Sequence, residues 1–226
     1  METAEAAKIE AARKALEFIE EDMVVGLGSG TTATHFIRLL GDRVREGLKV
    51  RGIASSRASE ELARSLSIPM IDFRTCSEID VAVDGADEIA PGLALIKGGG
   101  GALLREKIVA SAAKRFIVVA DSSKVVDRLG KFPLPVEVIQ MAAPLVMRKL
   151  AALDIRPKTR ETANGDDYIT DEGNVILDCA CGVIDDPYKL AASIRQIVGV
   201  VEHGLFLHMA DTALIANGAE VEVMER

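Results

Sequence analysis

The chain has 226 residues, enough for one large domain or a domain with a small companion. Hydrophobic residues make up 49%, tryptophan is absent and aromatics are only 4%, so the expected core is aliphatic, built from Ala, Val, Ile and Leu. A net charge of −8 argues against sequence-independent nucleic-acid binding, which needs a basic face, but not against an anionic small molecule that meets local lysines and amides.

The opening METAEAAKIEAARKALEFIEE is charged throughout and lacks the apolar stretch of a signal peptide. No apolar run approaches the ~20 residues a membrane span needs. A cytoplasmic protein with no membrane or nucleic-acid partner is expected. Cys76, Cys179 and Cys181 form no CxxC pair and have no histidine at zinc spacing, so they read as small buried or strand residues in a reducing compartment.

Residues 3–20 read as a helix, with Ile9, Ala12, Leu16 and Ile19 at helical spacing. Lys8 on that helix reads as a solvated charge. The run MVVGLGSGTTATHFIRLL then gives a buried strand at 23–27, a Gly/Ser/Thr turn and a helix at 32–40. A strand at 49–54 leads into Ser55 and Ser56 and a helix at 58–66. A short third strand is expected at 69–73, and a fourth at 79–83 ends at Asp84. After a glycine run, a helix covers 102–114 and a strand 115–120 ends at Asp121, Ser122, Ser123 and Lys124. β-Branched runs alternating with helices predict an α/β fold, a Rossmann-like, largely parallel sheet with helices on both faces. Polar groups cluster just after the strand C-terminal ends, the edge where open α/β sheets bind ligands.

From Gly130 the texture changes. KFPLPVEV marks a boundary, followed by a strand at 134–139, a helix at 143–153 and a strand at 155–161. A hairpin around 171–174, a strand at 175–181, a helix at 187–197 and a strand at 200–207 complete a βαββαβ order, expected to be a small ferredoxin-like α+β domain. Residues 212–216 and 221–224 around Asn217-Gly218 read as a closing hairpin returning to the first domain. The expected division is 1–130 with 205–226, and 131–204 as the small domain.

Three constellations carry chemistry. In Gly26-Leu27-Gly28-Ser29-Gly30-Thr31-Thr32, glycines let backbone amides turn toward an anion at a helix N-terminus. Thr31 stands where a dinucleotide fingerprint wants glycine or alanine, Ser55-Ser56 where it wants an acid, and no GK[ST] follows. A phosphate cradle with hydroxyls from Ser29, Thr31 and Thr32, and a tight turn capped by threonine, fit about equally. Asp84-Gly85-Ala86-Asp87-Glu88 reads first as turn and helix caps. Its three acids suit a divalent metal, but no histidine is near and Lys97 is a competing cation. In Lys97-Gly98-Gly99-Gly100-Gly101, four flexible glycines signal a close approach to the backbone, whose amides with Lys97 suit an oxyanion. Glu106 lies about 160° around its helix from Ile108, so it is expected to point away from a Leu104/Ile108/Ala112 stripe. It reads either as a surface glutamate favoured by the helix dipole or as a carboxylate aimed at the edge that holds Asp84.

The runs GLGSGTTATHFI, VDGADEI, IKGGGGALLREKI and VVADSSKVVDRLGKFPLPVEV, with NVILD and a closing GLF…AD.ALI pattern, resemble type A ribose-5-phosphate isomerase in order and spacing over essentially the whole chain. Leu104 replaces a common threonine, and a Ser-Gly-Thr loop replaces Thr-Gly-Ser. The resemblance implies metal-free, cofactor-free interconversion of ribose 5-phosphate and ribulose 5-phosphate in the pentose phosphate pathway. It implies Glu106 as the base that moves a proton between C2 and C1. Asp84, Asp87 and Lys97 are similar to sugar-contacting residues that assist ring opening and O1/O2 proton movement. Lys97 and the amides of Gly98, Gly99 and Gly100 would hold the oxyanion. Ser29, Gly30, Thr31, Thr32, Gly85, Ala86 and Lys124 match substrate-binding positions, and Lys8 is placed to reach the phosphate. A homodimer or homotetramer, with the small domain as contact surface, is expected. The rival readings are a non-catalytic phosphosugar-sensing module, which needs no base, and a nucleotide-dependent enzyme, which the failed fingerprints disfavour.

Overall fold

The computed structural model describes residues 2–226, with side chains from Glu5 onward. In chain order it runs α1 (Glu2–Ala15), β1 (Val24–Leu27), α2 (Gly30–Arg45), β2 (Arg51–Ala54), α3 (Arg57–Ser65) and β3 (Ile79–Asp84). Next come β4 (Glu88–Ala90), β5 (Ala94–Ile96), α4 (Leu103–Ser111) and β6 (Ala113–Asp121). The rest is β7 (Leu134–Val138), α5 (Ala143–Ala151), β8 (Arg156–Thr159), β9 (Val175–Ala180), α6 (Pro187–Arg195), β10 (Val200–His203), β11 (Leu205–Phe206), β12 (Thr212–Asn217) and β13 (Glu220–Glu225).

The main sheet has the order β13-β12-β6-β3-β1-β2, parallel except for the β12–β13 hairpin. Successive side chains of a strand point to opposite faces, and both faces here are apolar. Val25, Leu27, Val81, Val83, Ile117 and Val119 pack with Ala11 of α1, Phe36 and Leu40 of α2 and Ala63 of α3. Their neighbours Val24, Ala82, Phe116 and Val118 pack on the other face with Val109 and Ala110 of α4 and with Ile89, Leu95 and Phe206. Small alanines on α1 let it lie close to the sheet. The chain leaves β1 for β2 on one side and returns to β3 on the other, so a topological switch point opens at the C-terminal ends of β1 and β3.

The second sheet, β10-β7-β9-β8, is antiparallel throughout, the order of a ferredoxin-like βαββαβ unit. Its own aliphatic core includes Val136, Val138, Val146, Leu150 and Ile194.

Several boundaries differ from the expectations. The expected strand at 69–73 is a single bridge from Met70 to Gly52, because only Pro69 and Ile71 exchange backbone hydrogen bonds with β2. The helix expected at 102–114 ends at Ser111, since Ala113 already pairs with Ile79 as β6 begins. The first helix stops at Ala15 and tightens into a 3-10 turn, Leu16–Phe18. Residues 200–207 are two strands: Gly204 donates its amide to Pro135 and accepts from the Lys97 amide, so its two backbone groups serve different sheets. The sequence reading missed β4 and β5, a hairpin about Pro91-Gly92 that joins β11 in a three-stranded sheet. Around 171–174 a bridged turn, Ile169 to Val175, stands in place of a full hairpin. Cys179 is buried and Cys181 half-buried; burial raises both thiols, Cys181 to about 11.

Candidate active site

The edge at the switch point is built around Asp84, the last residue of β3. Its Oδ1 accepts the amides of Ser29 (2.9 Å) and Gly85 (2.7 Å), tying the loop after β1 to the loop after β3. That tie needs Gly28, where a Cβ would stand 2.3 Å from the same Oδ1. The Ser29 hydroxyl pairs with Ser55 (2.8 Å) and Ser59 donates to the Gly28 carbonyl (2.6 Å), so the serines after β2 fix the loop from the other side. In consequence the first turn of α2 opens toward the cavity.

Lys97 leaves β5 fully buried, with its ammonium 3.0 Å from Asp84 Oδ2, 3.4 Å from Glu106 Oε1 and donating to the Gly85 carbonyl at 2.5 Å. Burial works against its charge, but Asp84 and then Glu106 outweigh it and hold the pKa above the ordinary lysine value. Glu106 sits in the first turn of α4 and is 6% exposed. Burial pushes its carboxyl up to about 7, against the pull of Lys97 and with a further push from Asp84 and Asp87. Its Oε2 has no hydrogen-bond partner among the described residues. A buried, half-ionised carboxylate with a free oxygen is equipped to take a proton.

Here one inference from the sequence is corrected. The face of α4 that packs inward is Leu103, Glu106, Val109 and Ala110, whereas Ile108 is 44% exposed. Glu106 therefore lies on the buried stripe rather than opposite it. Its surface reading is excluded by that burial, and Lys97 is what makes burial tolerable.

Asp87 accepts the Gly99 amide at 2.7 Å, and a Cβ on Gly99 would meet that carboxylate at 2.6 Å. Gly98 and Gly101 hold φ of +107° and +86°, a region that glycine enters freely. A cavity of about 440 Å³ opens over these groups. Its wall includes Ser29, Gly30, Thr31 and Thr32 on one side, Gly85, Ala86 and Asp87 on a second, and Lys97, Gly98, Gly99, Gly100 and Glu106 on a third. Lys8 and Lys124 stand at the rim; Lys8 also pairs with Glu5 at 3.6 Å. Asp84 lies behind this wall, facing Lys97. The Ser29 hydroxyl is hydrogen-bonded to that of Ser55, and the amides of Gly30, Thr31 and Thr32 with the hydroxyls of Thr31 and Thr32 are the cavity's further donors on that side.

Glu88 departs from the acid cluster. Its carboxylate accepts the amides of Gly130 (2.7 Å) and Phe132 (2.5 Å), so Asp84, Asp87 and Glu88 do not converge. Two residues that sequence reasoning did not single out reach the glycine loop from the small α+β unit. Arg160 donates to the Gly98 and Gly99 carbonyls, and Tyr168 to that of Gly100 at 3.4 Å. They lie in a turn-rich segment some sixty residues downstream, and no local pattern marks them. Asp121 and Ser123 also line the cavity; their position at a strand end was the available signal.

Comparison with known proteins places the chain in a family. Residues 51–220 match the sequence model of ribose 5-phosphate isomerase A (phosphoriboisomerase A). The chain is 49% identical to ribose-5-phosphate isomerase A of Sphingopyxis alaskensis over 96% of this chain and 94% of that protein. It is 51% identical to the Gluconobacter oxydans protein of the same name, over 95% and 94%. Its fold is similar to a D-ribose-5-phosphate isomerase solved in complex with phospho-erythronic acid, with a TM-score of 0.96, 41% identity and 99% of both chains covered. It is also similar to the ribose 5-phosphate isomerase A of Methanocaldococcus jannaschii, with a TM-score of 0.93, 41% identity and 97% and 98% covered.

Proposed function

The chain belongs to the ribose 5-phosphate isomerase A family, and we propose that it interconverts D-ribose 5-phosphate and D-ribulose 5-phosphate by moving one proton between C2 and C1. The observation that carries the reading is Glu106: a buried residue of the cavity wall with one unpartnered carboxylate oxygen and a pKa near 7, beside a lysine that stays charged.

The phosphate dianion docks at the N-terminus of α2, where the amides of Gly30, Thr31 and Thr32 and the helix dipole favour negative charge. Lys8 and Lys124 add charge at the rim. Binding energy from the phosphate, remote from the reacting carbons, is available for positioning them. Lys97 and Asp87 assist opening of the sugar ring. The Glu106 carboxylate then removes the proton from C2 of the open aldose, which leaves an enediol(ate). Negative charge gathers on the oxygen that was the C1 carbonyl, within reach of Lys97 and the Gly98 and Gly100 amides, the Gly99 amide being committed to Asp87. Asp87 moves a proton between O1 and O2, and Glu106 returns its proton to C1. Asp84 acts through Lys97, which it holds charged and in place. One carboxylate that takes and returns a proton serves both directions.

Among the described residues no helix is long and apolar enough to cross a membrane; the proposed setting is the cytoplasm. Assembly into a homodimer or homotetramer through residues 131–204 is supported by Met141 and Val198, apolar yet 90% and 85% exposed. Sedimentation analysis tests it.

The deciding experiment is a direct assay of ribulose 5-phosphate formation, wild type beside Glu106→Gln. A wild type that forms none overturns the isomerase reading. A variant at the wild-type rate overturns the assignment of the base and leaves the reaction standing.

A further inference from the structure

We propose that Arg160, which does not itself line the cavity, is a positioning residue for the reaction: through two glycine carbonyls it aims the Gly100 N–H as an oxyanion donor. The inference rests on the isomerase reading above.

Arg160 follows β8 in the small α+β unit. Its Nε and Nη2 donate to both oxygens of Asp178, at 2.9 and 2.5 Å, a forked pairing that fixes the guanidinium plane. The remaining edge is turned to the glycine loop, where Nη1 donates to the carbonyls of Gly98 (2.9 Å) and Gly99 (3.1 Å). The Arg160 side chain is 13% exposed, so water competes weakly for these bonds.

A trans peptide unit points its C=O and its N–H in opposite directions. In the Gly98–Gly99 unit the carbonyl meets Arg160 and the N–H meets Asp87 at 2.7 Å. The guanidinium and the Asp87 carboxylate therefore lie on opposite sides of the loop. In the Gly99–Gly100 unit the carbonyl also meets Arg160, so the Gly100 N–H points to the Asp87 side, where the cavity lies. Among the described residues it takes no acceptor.

A run of four glycines has little intrinsic preference for one peptide orientation. The Gly98–Gly99 unit is also held by the Gly101 amide on its carbonyl (3.0 Å) and by Asp87 on its N–H, so the Gly99–Gly100 unit is the one that depends on Arg160. Without that anchor it is free to flip, and a flip replaces a donor at the developing negative charge with a carbonyl oxygen. Preorganisation of such donors is what makes them effective. An arginine that follows β8 of the second sheet thus completes a site otherwise built from the main sheet's edge, β5 and α4.

The test compares Arg160→Met and Arg160→Lys with wild type in three measurements: kcat and KM, affinity for phospho-erythronic acid, whose carboxylate resembles the enediolate oxygens, and affinity for inorganic phosphate. The expected result for R160M is a fall in kcat of roughly 10- to 100-fold, with KM within about twofold. Phospho-erythronic acid should weaken by a similar factor to kcat/KM while inorganic phosphate binds as before. R160K should recover part of the loss. An unchanged kcat in R160M, or equal weakening of the acid and of phosphate, overturns the proposal; the second pattern means general loosening of the site. Should R160M not fold, Asp178→Asn frees the guanidinium and is read by the same criteria. A wild type without isomerase activity would instead strike the underlying reading, so the two failures are distinguishable.

Discussion

Oε1 of Glu106 lies 3.4 Å from Nζ of Lys97, longer than either of the other two contacts of that ammonium. Asp84 and the Gly85 carbonyl hold the lysine firmly, and Glu106 is the weakest of its partners. This asymmetry leaves the carboxylate basic. Burial carries Glu106 up to about 7, and Lys97 at that separation only partly reverses it.

A pH profile follows. Glu106 works as a base only when ionised, so kcat/KM should rise with pH through about 7 and level off above it. Lys97, raised above the ordinary lysine value, stays charged well beyond that plateau. The substrate phosphate ionises near pH 6, about a unit lower, and is separated by comparing profiles of kcat and kcat/KM. A profile flat from pH 6 to 8 would remove Glu106 from the role.

Glu106→Gln should lower turnover by roughly 10²- to 10⁴-fold, the usual contribution of a general base, and should also stabilise the protein. A carboxyl whose pKa is 4.5 when exposed and about 7 when folded is disfavoured in its charged form by folding. Stability is then lost as pH rises from about 4.5 to 7, and the penalty is complete above 7. Gln carries no such penalty. Urea unfolding should show the variant roughly 3 kcal/mol more stable at pH 8, with the gap closing toward pH 5. Equal stability differences at both pH values would contradict this.

Much of this site is visible in the amino-acid order, and the reasons are physical. Gly28 and Asp84 follow buried aliphatic strands, and a parallel sheet delivers all such positions to one edge. The hairpin of β4 and β5 is not visible, since three-residue strands are too short to show a period. Nor is the inward face of α4. Leu104/Ile108/Ala112 and Leu103/Val109/Ala110 are both apolar at helical spacing, and only the second is buried along its length. Burial of Glu106 depends on Lys97 and Asp84, tertiary partners with no local signal. The same holds for Arg160, whose glycine partners lie some sixty residues earlier.

Gly28→Ala should disable the site through Asp84. The added Cβ would stand 2.3 Å from Asp84 Oδ1 and 2.6 Å from its Cα, so either strand end must shift. Overpacking of this kind costs roughly 1–3 kcal/mol, and the displaced carboxylate would no longer meet both Lys97 and the Ser29 amide. A lower melting temperature together with a lower kcat is expected. Wild-type values of both would show that Asp84 is less tightly placed than the contacts state.

Exhaustive chelation should leave turnover unchanged. The Lys97 ammonium fills the space between Asp84 and Glu106 that a divalent cation would need, and Glu88 is committed to the Gly130 and Phe132 amides. Activity would be measured after dialysis against a chelator, with and without added Mg²⁺ or Mn²⁺. Loss on chelation restored by either ion would place a metal in the acid cluster.

Lys107, next to the base in sequence, should prove a structural keystone. Its ammonium donates to Glu202 Oε1 (2.9 Å) and to the carbonyls of His203 (2.5 Å) and Leu205 (2.9 Å), 4.7 Å from the centre of the Phe206 ring. Those carbonyls flank Gly204, whose own carbonyl accepts the Lys97 amide at 2.9 Å. One buried cation thus holds α4 to the point where the chain passes from the small sheet to the strand beside Lys97. Burial lowers its pKa to about 8, and Glu202 opposes the shift. Lys107→Met would leave two carbonyls unpaired and Glu202 with Arg195 as its remaining close cationic partner apart from His203, which burial holds neutral, its pKa lowered to about 4. Breaking a buried pair from one side costs roughly 3–5 kcal/mol. Glu202→Gln should cost less, because the lysine keeps its carbonyls. Denaturant unfolding of both single variants and the double variant gives the coupling between them. Additive losses would show that the pair acts as two separate charges rather than as one joint.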